Sequence, residues 1–261
     1  MSTPTSNSIP ATFFSPSLAG EGRYVTDGSK WGGAFGTGVN LTYSFPQGTA
    51  SFITGYSEFS AWYSLNSAER SAVQQSLATW SAVANVTFTQ VADNSSVVGD
   101  MRFAMADMSD FAHAYYPSFH PTAGDVWFGH NDWNSNGGGV SKGDYDYLTI
   151  IHEVGHALGL KHTFGSPNVI PAAKDSMFYS VMSYTASPWA DDNYASFFPT
   201  GPMYLDLVAI QSIYGRNTAH NAGNNTYVYN DGTRYFQTID DAVNVEVEGG
   251  TGCGLAESAA E

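Results

Sequence analysis

The sequence predicts an α+β domain built around a single cleft. Three observations support this class: short stretches in which apolar and polar residues alternate, longer stretches with apolar residues at helical spacing, and a histidine-rich string at the end of one predicted helix. The chain has 261 residues, enough to bury a large core as one domain with two subdomains and a small extension. No repeat covers the body of the chain.

The predicted strands are short. Residues 39–45 alternate in strand fashion and end at a Pro-Gln-Gly turn, and residues 86–91 alternate in the same way. Two further short strands are expected at residues 101–105 and 125–129. These segments would supply the sheet of the domain.

Three helices are predicted. The first starts at Asn66, whose spacing to Glu69 resembles a capping box. A second helix is expected at residues 145–158, after a loop rich in Gly, Asn and Ser at residues 131–143, and a last one at residues 203–214. Apolar residues recur at helical spacing in the first helix, at Val73, Leu77, Trp80 and Ala84.

The string from His152 to His162 has the spacing of a three-histidine metal site. Four positions of a helix turn through about 400°, so His152 and His156 point the same way to within about 40°. Glu153 flanks that face and can reach a water on the metal without binding the ion. The step from His156 to His162 adds about 240° beyond a full turn, so the helix must break between them. Gly159 can take the positive φ that such a break requires.

This donor set points to a catalytic zinc ion. Three neutral imidazoles leave one coordination position open, whereas structural zinc sites are closed by four ligands. Water in the open position has a pKa near ~7, and the ion also polarises a bound carbonyl. Glu153 would take the proton from that water and later pass it to the leaving amine. A chance HExxH on a buried helix is the alternative, and the added Gly159 and His162 argue against it.

A second motif, Ser-Val-Met-Ser-Tyr at residues 180–184, follows the third histidine by about twenty residues. Together with HExxHxxGxxH, it resembles the Met-turn of the metzincin metallopeptidases. The resemblance implies a metzincin-like α+β fold with a mixed twisted sheet, long helices, the zinc helix in the cleft and a mostly irregular C-terminal subdomain. It also implies that Met182 lies in a tight turn beneath the zinc ligands. Taken alone, Met182 would more often fill a core.

Tyr184 narrows the resemblance, because astacins and serralysins share this tyrosine and matrix metalloproteases lack it. The resemblance implies that Tyr184 binds zinc in the free enzyme, swings away when substrate binds and donates its hydroxyl to the developing oxyanion. A buried aromatic residue with a satisfied hydroxyl is the alternative. Cys253 is the single cysteine, so no disulfide can form within the chain, and this disfavours an astacin-like protein.

Three further segments resemble serralysins: residues 40–46 (NLTYSFP), 80–88 (WSAVANVTF) and 204–211 (YLDLVAIQ). The resemblance therefore covers about residues 31–215, which is most of the chain. One position departs from the family, since serralysins usually place proline after the third histidine and this chain has Thr163. The zinc ligands themselves are unaffected.

Substrate binding is expected at an edge strand. The region from residue 112 to residue 128 resembles the edge-strand region of serralysins and matrix metalloproteases, where the strand pairs with an extended peptide above the zinc. On this basis Val126, Trp127 and Phe128 are predicted to bind substrate. An ordinary buried strand with aromatic packing is the alternative.

The C-terminal end differs from serralysins, which continue into calcium-binding GGxGxD repeats that fold as a parallel β-roll. Residues 249–254 keep the glycines but have Gly254 in place of the calcium-binding aspartate. One degraded copy cannot build a roll, because each repeat needs neighbours to bury its face. One catalytic Zn²⁺ is therefore the assigned metal, and Ca²⁺ stays open but is not supported by the tail.

These signals divide the chain into three parts. Residues 1–22 are rich in Ser, Thr and Pro and are expected to form a flexible N-terminal arm or a propeptide, with no classical signal peptide visible. Residues 23–217 would form the zinc metallopeptidase domain. Residues 218–261 would form a C-terminal extension with one degraded Gly-rich repeat.

The charge of the chain is strongly negative. It has 9 Lys and Arg against 24 Asp and Glu, which gives a formal net charge of −15. This argues against a nucleic-acid partner, because phosphate contacts need clustered Lys and Arg. The charge could favour cationic substrates, but solubility is the plainer explanation.

Together these features predict a secreted, extracellular bacterial zinc endopeptidase of the serralysin type. It would act as a monomer without a membrane span on protein or peptide substrates. His152, His156, His162 and Tyr184 would bind the metal, and Glu153 and Tyr184 would take part in catalysis. Two alternatives stay open: a catalytically silent zinc-containing surface or binding module, and a protease of narrow specificity that processes itself.

Overall fold

The computed structural model describes residues 9–48, 56, 61–131, 133, 140–186 and 198–223, together with the backbone of three strands between residues 226 and 249. The strands in chain order are β1 (Ala11–Phe13), β2 (Ser29–Trp31), β3 (Val39–Ser44), β4 (Trp62–Tyr63), β5 (Val86–Gln90), β6 (Met101–Ala106), β7 (Ala112–Ala114), β8 (Val126–Gly129), β9 (Thr226–Asn230), β10 (Tyr235–Ile239) and β11 (Val245–Gly249). The α-helices are α1 (Ser67–Val83), α2 (Tyr145–Ala157) and α3 (Tyr204–Tyr214).

The main sheet is mixed, as the metzincin resemblance implies. Its strands lie in the order β5-β3-β6-β8-β7, and β4 pairs with β6 beyond the point where β3 ends. The strands β3, β5, β6 and β8 run parallel to one another, whereas β4 and β7 run antiparallel to their neighbours. The short strand β7 therefore forms one edge of the sheet, next to α2. The α+β class is confirmed.

The first helix begins where the sequence predicts. The Asn66 side chain accepts hydrogen bonds from the N–H groups of Ala68 and Glu69, and the Glu69 carboxylate accepts one from the Asn66 N–H at 2.7 Å. These bonds pair N–H groups that have no partner within the helix. The buried face of α1 includes Leu77 and Trp80, and the helix packs against α2. This contact supports the helix that carries His152 and His156.

The core lies between the sheet and the helices. Phe103 and Phe128 from the sheet share one buried cluster with Trp80 of α1 and with Ile150 and Ile151 of α2. Each large apolar side chain buried in this way contributes roughly 1.5–3 kcal/mol to folding. Because α2 is buried along nearly its whole length, the histidines it carries are held by packing on several sides.

The segment before β2 is folded onto the domain, which corrects the expectation of a flexible arm for residues 11–22. Strand β1 pairs antiparallel with β2, and the 3-10 segment Pro16–Tyr24 follows it. Gly22 lies so close to α3 that an added Cβ would be 2.6 Å from the Ala209 Cα. Composition alone missed this, because the segment gains its partners from distant parts of the chain. Residues 1–8 lie outside the described residues, and removal of a propeptide stays a prediction.

The C-terminal strands form a separate small sheet. β10 pairs antiparallel with both β9 and β11. This antiparallel sheet differs from the parallel β-roll that calcium-binding repeats form. Most of the predicted degraded repeat, residues 250–254, lies outside the described residues. Most of the predicted loop at residues 131–143 does so as well. Among the helices of the described segments, none combines the length and apolarity needed to cross a membrane.

Candidate metal centre

The three predicted histidine ligands converge at one point. His152 and His156 lie one turn apart on α2, with ring centroids 4.6 Å apart and ring planes perpendicular. The Nε2 atom of His162 is 3.1 Å from the His152 Nε2 and 3.0 Å from the His156 Nε2. Among the described residues, this trio is the group of His, Cys, Asp or Glu side chains placed to share one metal ion.

The helix breaks where the spacing requires it to break. α2 ends at Ala157, and Gly159 adopts a φ of 100°. A Cβ at Gly159 would also lie 2.1 Å from the Ser29 carbonyl oxygen of β2. Both the left-handed backbone and the close approach of β2 therefore demand glycine. The chain then turns back and brings His162 against the two helical histidines.

Backbone carbonyls set the protonation of the two helical rings. The His152 Nδ1–H donates to the Val181 carbonyl at 2.6 Å, and the His156 Nδ1–H donates to the Leu160 carbonyl at 2.7 Å. A carbonyl oxygen can only accept, so in the neutral rings both Nε2 atoms present lone pairs to the centre. Such outer hydrogen bonds typically orient metal-binding histidines.

Burial keeps all three rings neutral. It lowers the pKa of His152 to about 4, and it lowers the pKa of His156 well below the usual value. The pKa of His162 is lowered first by burial and then by the charge of Lys161. Neutral imidazole is the form that binds metal.

The donors fit zinc. The two helical rings direct lone pairs at the centre, and their Nε2 atoms lie 3.1 and 3.0 Å from the His162 Nε2. All three ligand nitrogens lie within 4.8 Å of one another, close enough to share one cation. Imidazole nitrogens are typical zinc ligands at about 2.0–2.1 Å. The buried Oε2 of Glu153 has no hydrogen-bond partner among the described residues, so the carboxyl can still take up a proton at the centre. Burial raises the pKa of Glu153 to about 8.

Tyr184 lies against the third histidine, as the Met-turn resemblance implies. Its hydroxyl is 2.9 Å from the His162 Nε2, while the side chain is 58% exposed. The alternative of a buried core tyrosine therefore does not hold. Partial burial, followed by the charge of Glu153 and then by Tyr145 and Asp110, raises the pKa of Tyr184 to about 12. The hydroxyl is thus a proton donor at neutral pH.

Met182 is fully buried beneath α2. Its Sδ atom lies 2.8 Å from the place a Cβ on Gly155 would occupy, so helix and sulfur are in direct contact. The N–H of Met182 donates to the Ser180 Oγ at 3.0 Å, which tightens the turn. Met182 therefore packs against the α2 turn that contains Gly155, and its role as the Met-turn residue stays a prediction.

Asp206 of α3 anchors this turn, and sequence reasoning did not single it out. Its carboxylate accepts hydrogen bonds from the Ser180 hydroxyl at 2.6 Å and from the N–H groups of Val181 and Met203 at 2.8 Å each. Val181 in turn accepts the bond from His152. Burial raises the pKa of Asp206 to about 6, against the lowering effect of those hydrogen bonds. The visible signal was only its place in the serralysin-like segment 204–211.

A second carboxylate supports the residues that follow the third ligand. The hydroxyls of Thr163 and Ser183 donate to the same oxygen of Asp175, at 2.6 and 2.7 Å. Thr163 is the residue found where serralysins usually have proline, and Ser183 precedes Tyr184. Asp175 therefore ties the third ligand to the tyrosine through their neighbours.

The centre lies in a cleft of about 540 Å³. β7 forms one wall, and Tyr116, whose ring meets that of His156 edge-on at 5.4 Å, continues that wall. Leu148, Met177 and Val181 give the cleft an apolar part.

The predicted substrate-binding residues Val126, Trp127 and Phe128 need correction. They belong to β8, which is hydrogen-bonded to β6 on one side and to β7 on the other, and all three side chains are buried. A peptide cannot add to a strand that is already paired on both sides. The edge strand is β7, which is only three residues long and lies between β8 and the cleft.

The chain is similar to known proteins. Residues 56–192, about half of the chain, match the matrixin family model, Peptidase_M10. The chain is 34% identical to Serralysin C of Dickeya chrysanthemi over 229 residues, which are 81% of this chain and 47% of the relative. It is 32% identical to Serralysin A of the same organism over 238 residues, or 85% of this chain and 49% of the relative. For Serralysin of Proteus mirabilis the identity is 30% over 249 residues, or 84% and 50%.

The chain spans about half the length of the curated relatives it matches. The matched family region contains both the HExxHxxGxxH string and the Met-turn. The geometry of the metal centre and these similarities agree. The chain therefore belongs to the matrixin family of metzincin metalloproteases and is serralysin-like.

Proposed function

We propose that the protein is a zinc-dependent endopeptidase that hydrolyses peptide bonds of extended polypeptides. The observation that carries the proposal is the convergence of three neutral imidazole nitrogens beside Glu153 and Tyr184 in an open cleft. Zinc held by these rings would supply a Lewis acid that activates water and polarises the scissile carbonyl. Family membership supports the same reaction class.

Glu153 acts as the general base and acid. Its carboxyl is buried in the cleft, where burial raises its pKa to about 8, and its Oε2 has no partner among the described residues. It takes the proton from the attacking water and passes it to the leaving amine. Groups matched to the working pH in this way typically contribute 10²–10⁴-fold, by an order-of-magnitude estimate.

Tyr184 stabilises the oxyanion. Its hydroxyl is protonated at neutral pH and lies at the centre, while its exposed ring leaves it free to turn toward the cleft. A hydroxyl that swings toward the substrate donates a hydrogen bond where negative charge develops. The same residue would bind the metal when no substrate is present.

Substrate binds along β7. No described strand pairs with the outer side of β7, and its three residues line the cleft. An extended peptide can therefore add to this edge through backbone hydrogen bonds, with one side chain entering the apolar part of the cleft. Recognition of this kind gives affinity for many sequences, as expected of an endopeptidase.

Glu153→Ala tests the function directly. The wild-type protein is expected to cleave casein, to lose activity with a chelator and to regain it with Zn²⁺. The variant should bind zinc by mass spectrometry yet cleave at least about 100-fold more slowly, because the proton acceptor is gone. Zinc binding without cleavage in both proteins would favour a silent zinc-containing binding module, and equal cleavage in both would refute the mechanism.

A second measurement distinguishes a narrow-specificity, self-processing protease from the general endopeptidase proposed above. Incubating the purified chain alone and mapping its N-terminus would reveal self-cleavage. We further propose that the protein is secreted and extracellular, which the serralysin similarity supports. We also propose that it is a bacterial monomer without a nucleic-acid partner. Finding the intact protein only inside producing cells would contradict the secretion proposal.

A further inference from the structure

Lys161, the residue just before the third ligand, is almost completely buried, with 5% of its surface exposed. Its ammonium donates to three backbone carbonyls: those of Tyr24 at 2.7 Å, Gly165 at 2.6 Å and His162 at 3.2 Å. An ammonium has three donors, so each one has a partner. Two of these carbonyls belong to the loop that carries the third ligand, and one belongs to the N-terminal segment.

The N-terminal segment and the ligand loop lie side by side as a short ribbon. Thr26 and Leu160 form an antiparallel bridge. The Lys161 N–H donates to the Val25 carbonyl at 2.8 Å, and the Asp27 N–H donates to the Gly159 carbonyl at 2.9 Å. The Lys161 side chain then reaches across to Tyr24 and closes the same ribbon. The loop is thus fastened by both its backbone and a buried cation.

This fastening matters because His162 is held differently from the other two ligands. His152 and His156 are fixed by a helix and by bonds from Nδ1 to carbonyls. His162 lies on no helix, and its ring makes no Nδ1 hydrogen bond to a described residue; its ring stacks on Phe164 at 4.8 Å. The position of its ring therefore depends on the path of its backbone.

We propose that Lys161 is a positioning residue for the third metal ligand. By joining the His162 and Gly165 carbonyls to the Tyr24 carbonyl, it holds the loop so that the His162 ring meets the two helical rings. The inference rests on the proposed zinc site and extends it to a residue that touches neither the metal-binding nitrogens nor the cleft.

Lys30 provides a matched control. It is also fully buried, and its ammonium donates to the carbonyls of Trp31 at 2.8 Å and Gly33 at 3.0 Å. It lies 4.9 Å from the centre of the Tyr214 ring. Both lysines therefore donate hydrogen bonds to backbone carbonyls inside the fold. Of the two, only Lys161 bonds to the loop that carries His162.

The test compares full-length wild type with Lys161→Met, Lys161→Arg and Lys30→Met. The dissociation constant for Zn²⁺ is measured by competition with a chromophoric chelator, and the coordination geometry by the absorption spectrum of the Co²⁺ form. Both methionine variants should have a lower Tm without metal. Lys161→Met should weaken zinc binding about ten-fold and alter the cobalt spectrum, whereas Lys30→Met should stay within about two-fold. Lys161→Arg, which keeps a cation and donors, should recover part of the affinity.

Several outcomes would overturn the proposal. An unchanged zinc constant in Lys161→Met despite a lower Tm would make the residue purely structural, and an equal loss of affinity in Lys30→Met would do the same. If Lys161→Met does not fold, Lys161→Gln and Lys30→Gln are compared in the same way, with the same expected difference. Failure of the wild type to bind zinc would instead reject the proposed function, so the two failures are distinguishable.

Discussion

Two ligands of the metal centre lie on a helix and the third lies on a loop, and the two regions reach the same point by different means. The helical spacing of α2 places His152 and His156 on one face. Each ring is then oriented by a hydrogen bond to a backbone carbonyl, that of Val181 or Leu160. His162 is set by contacts with the N-terminal segment, through Gly159 and Lys161, and by the carboxylate anchor at Thr163. Local geometry makes the first pair robust, whereas the third ligand depends on distant partners.

The largest expected loss of stability is at Gly159, which joins the helix carrying His152 and His156 to the loop carrying His162. Gly159→Ala should lower the free energy of unfolding by about 3 kcal/mol or more, because it adds backbone strain and a clash with the Ser29 carbonyl. Zinc affinity should fall as well, since His162 would be displaced from the helical pair. Chemical denaturation and zinc titration would measure both.

Gly33→Ala is the control for that change. Gly33 has no positive φ, and its added Cβ would meet only the Thr37 hydroxyl at 3.5 Å, so its effect should stay within about 0.5 kcal/mol. Equal stability of Gly159→Ala and wild type would show that the loop does not need the conformation described for it.

The next effect concerns the helical ligands and depends on pH. Asp206 has a folded pKa of about 6, above the value of about 3.9 in an unfolded chain. The folded protein therefore binds the Asp206 proton more tightly, and this contribution to stability is full below about pH 4 and is lost as the pH rises to about 6. Relative to Asp206→Asn, which cannot titrate, the wild type should lose about 2–3 kcal/mol across that window.

Urea unfolding at several pH values, with metal-free protein, would measure the Asp206 contribution. At neutral pH, Asp206→Asn should also weaken the Val181 N–H bond and thereby loosen the carbonyl that holds His152. Parallel stability curves for the two proteins between pH 4 and pH 6 would be inconsistent with the raised pKa.

The smallest expected loss of stability is at Thr163, in the loop that carries His162. Thr163→Val removes the hydroxyl that donates to Asp175 and keeps the shape of the side chain, so it should cost about 1–2 kcal/mol. Thr87→Val, which removes an exposed bond to Asn40, should cost less than about 0.5 kcal/mol. Thermal unfolding of both variants makes the comparison, and a larger loss for Thr87→Val would contradict it.

Local patterns predicted much of the fold and the helical half of the centre. The capping box at Asn66, the extent of α2 and the break at Gly159 all arise from neighbouring residues, and each is found close to the predicted place. The spacing of His152 and His156 is likewise a property of one helix. Such features are readable because partner and residue are only a few positions apart.

The features that were missed depend on distant partners. The order of strands in the sheet made β7 the edge rather than β8, and three residues are too few to show a strand pattern. Asp206, Asp175 and Lys161 are single polar residues whose bonds reach across 25, 12 and 137 positions. No local pattern distinguishes such a residue from one exposed to solvent.

The ribbon between residues 24–27 and the ligand loop makes the third ligand depend on a segment more than 130 positions earlier in the chain. A cut that removes Tyr24 takes away the carbonyl that Lys161 binds, and a cut that removes Val25 takes away a backbone partner as well. A variant that begins downstream of Val25 is therefore expected to hold the His162 loop less firmly than one that begins upstream of Tyr24.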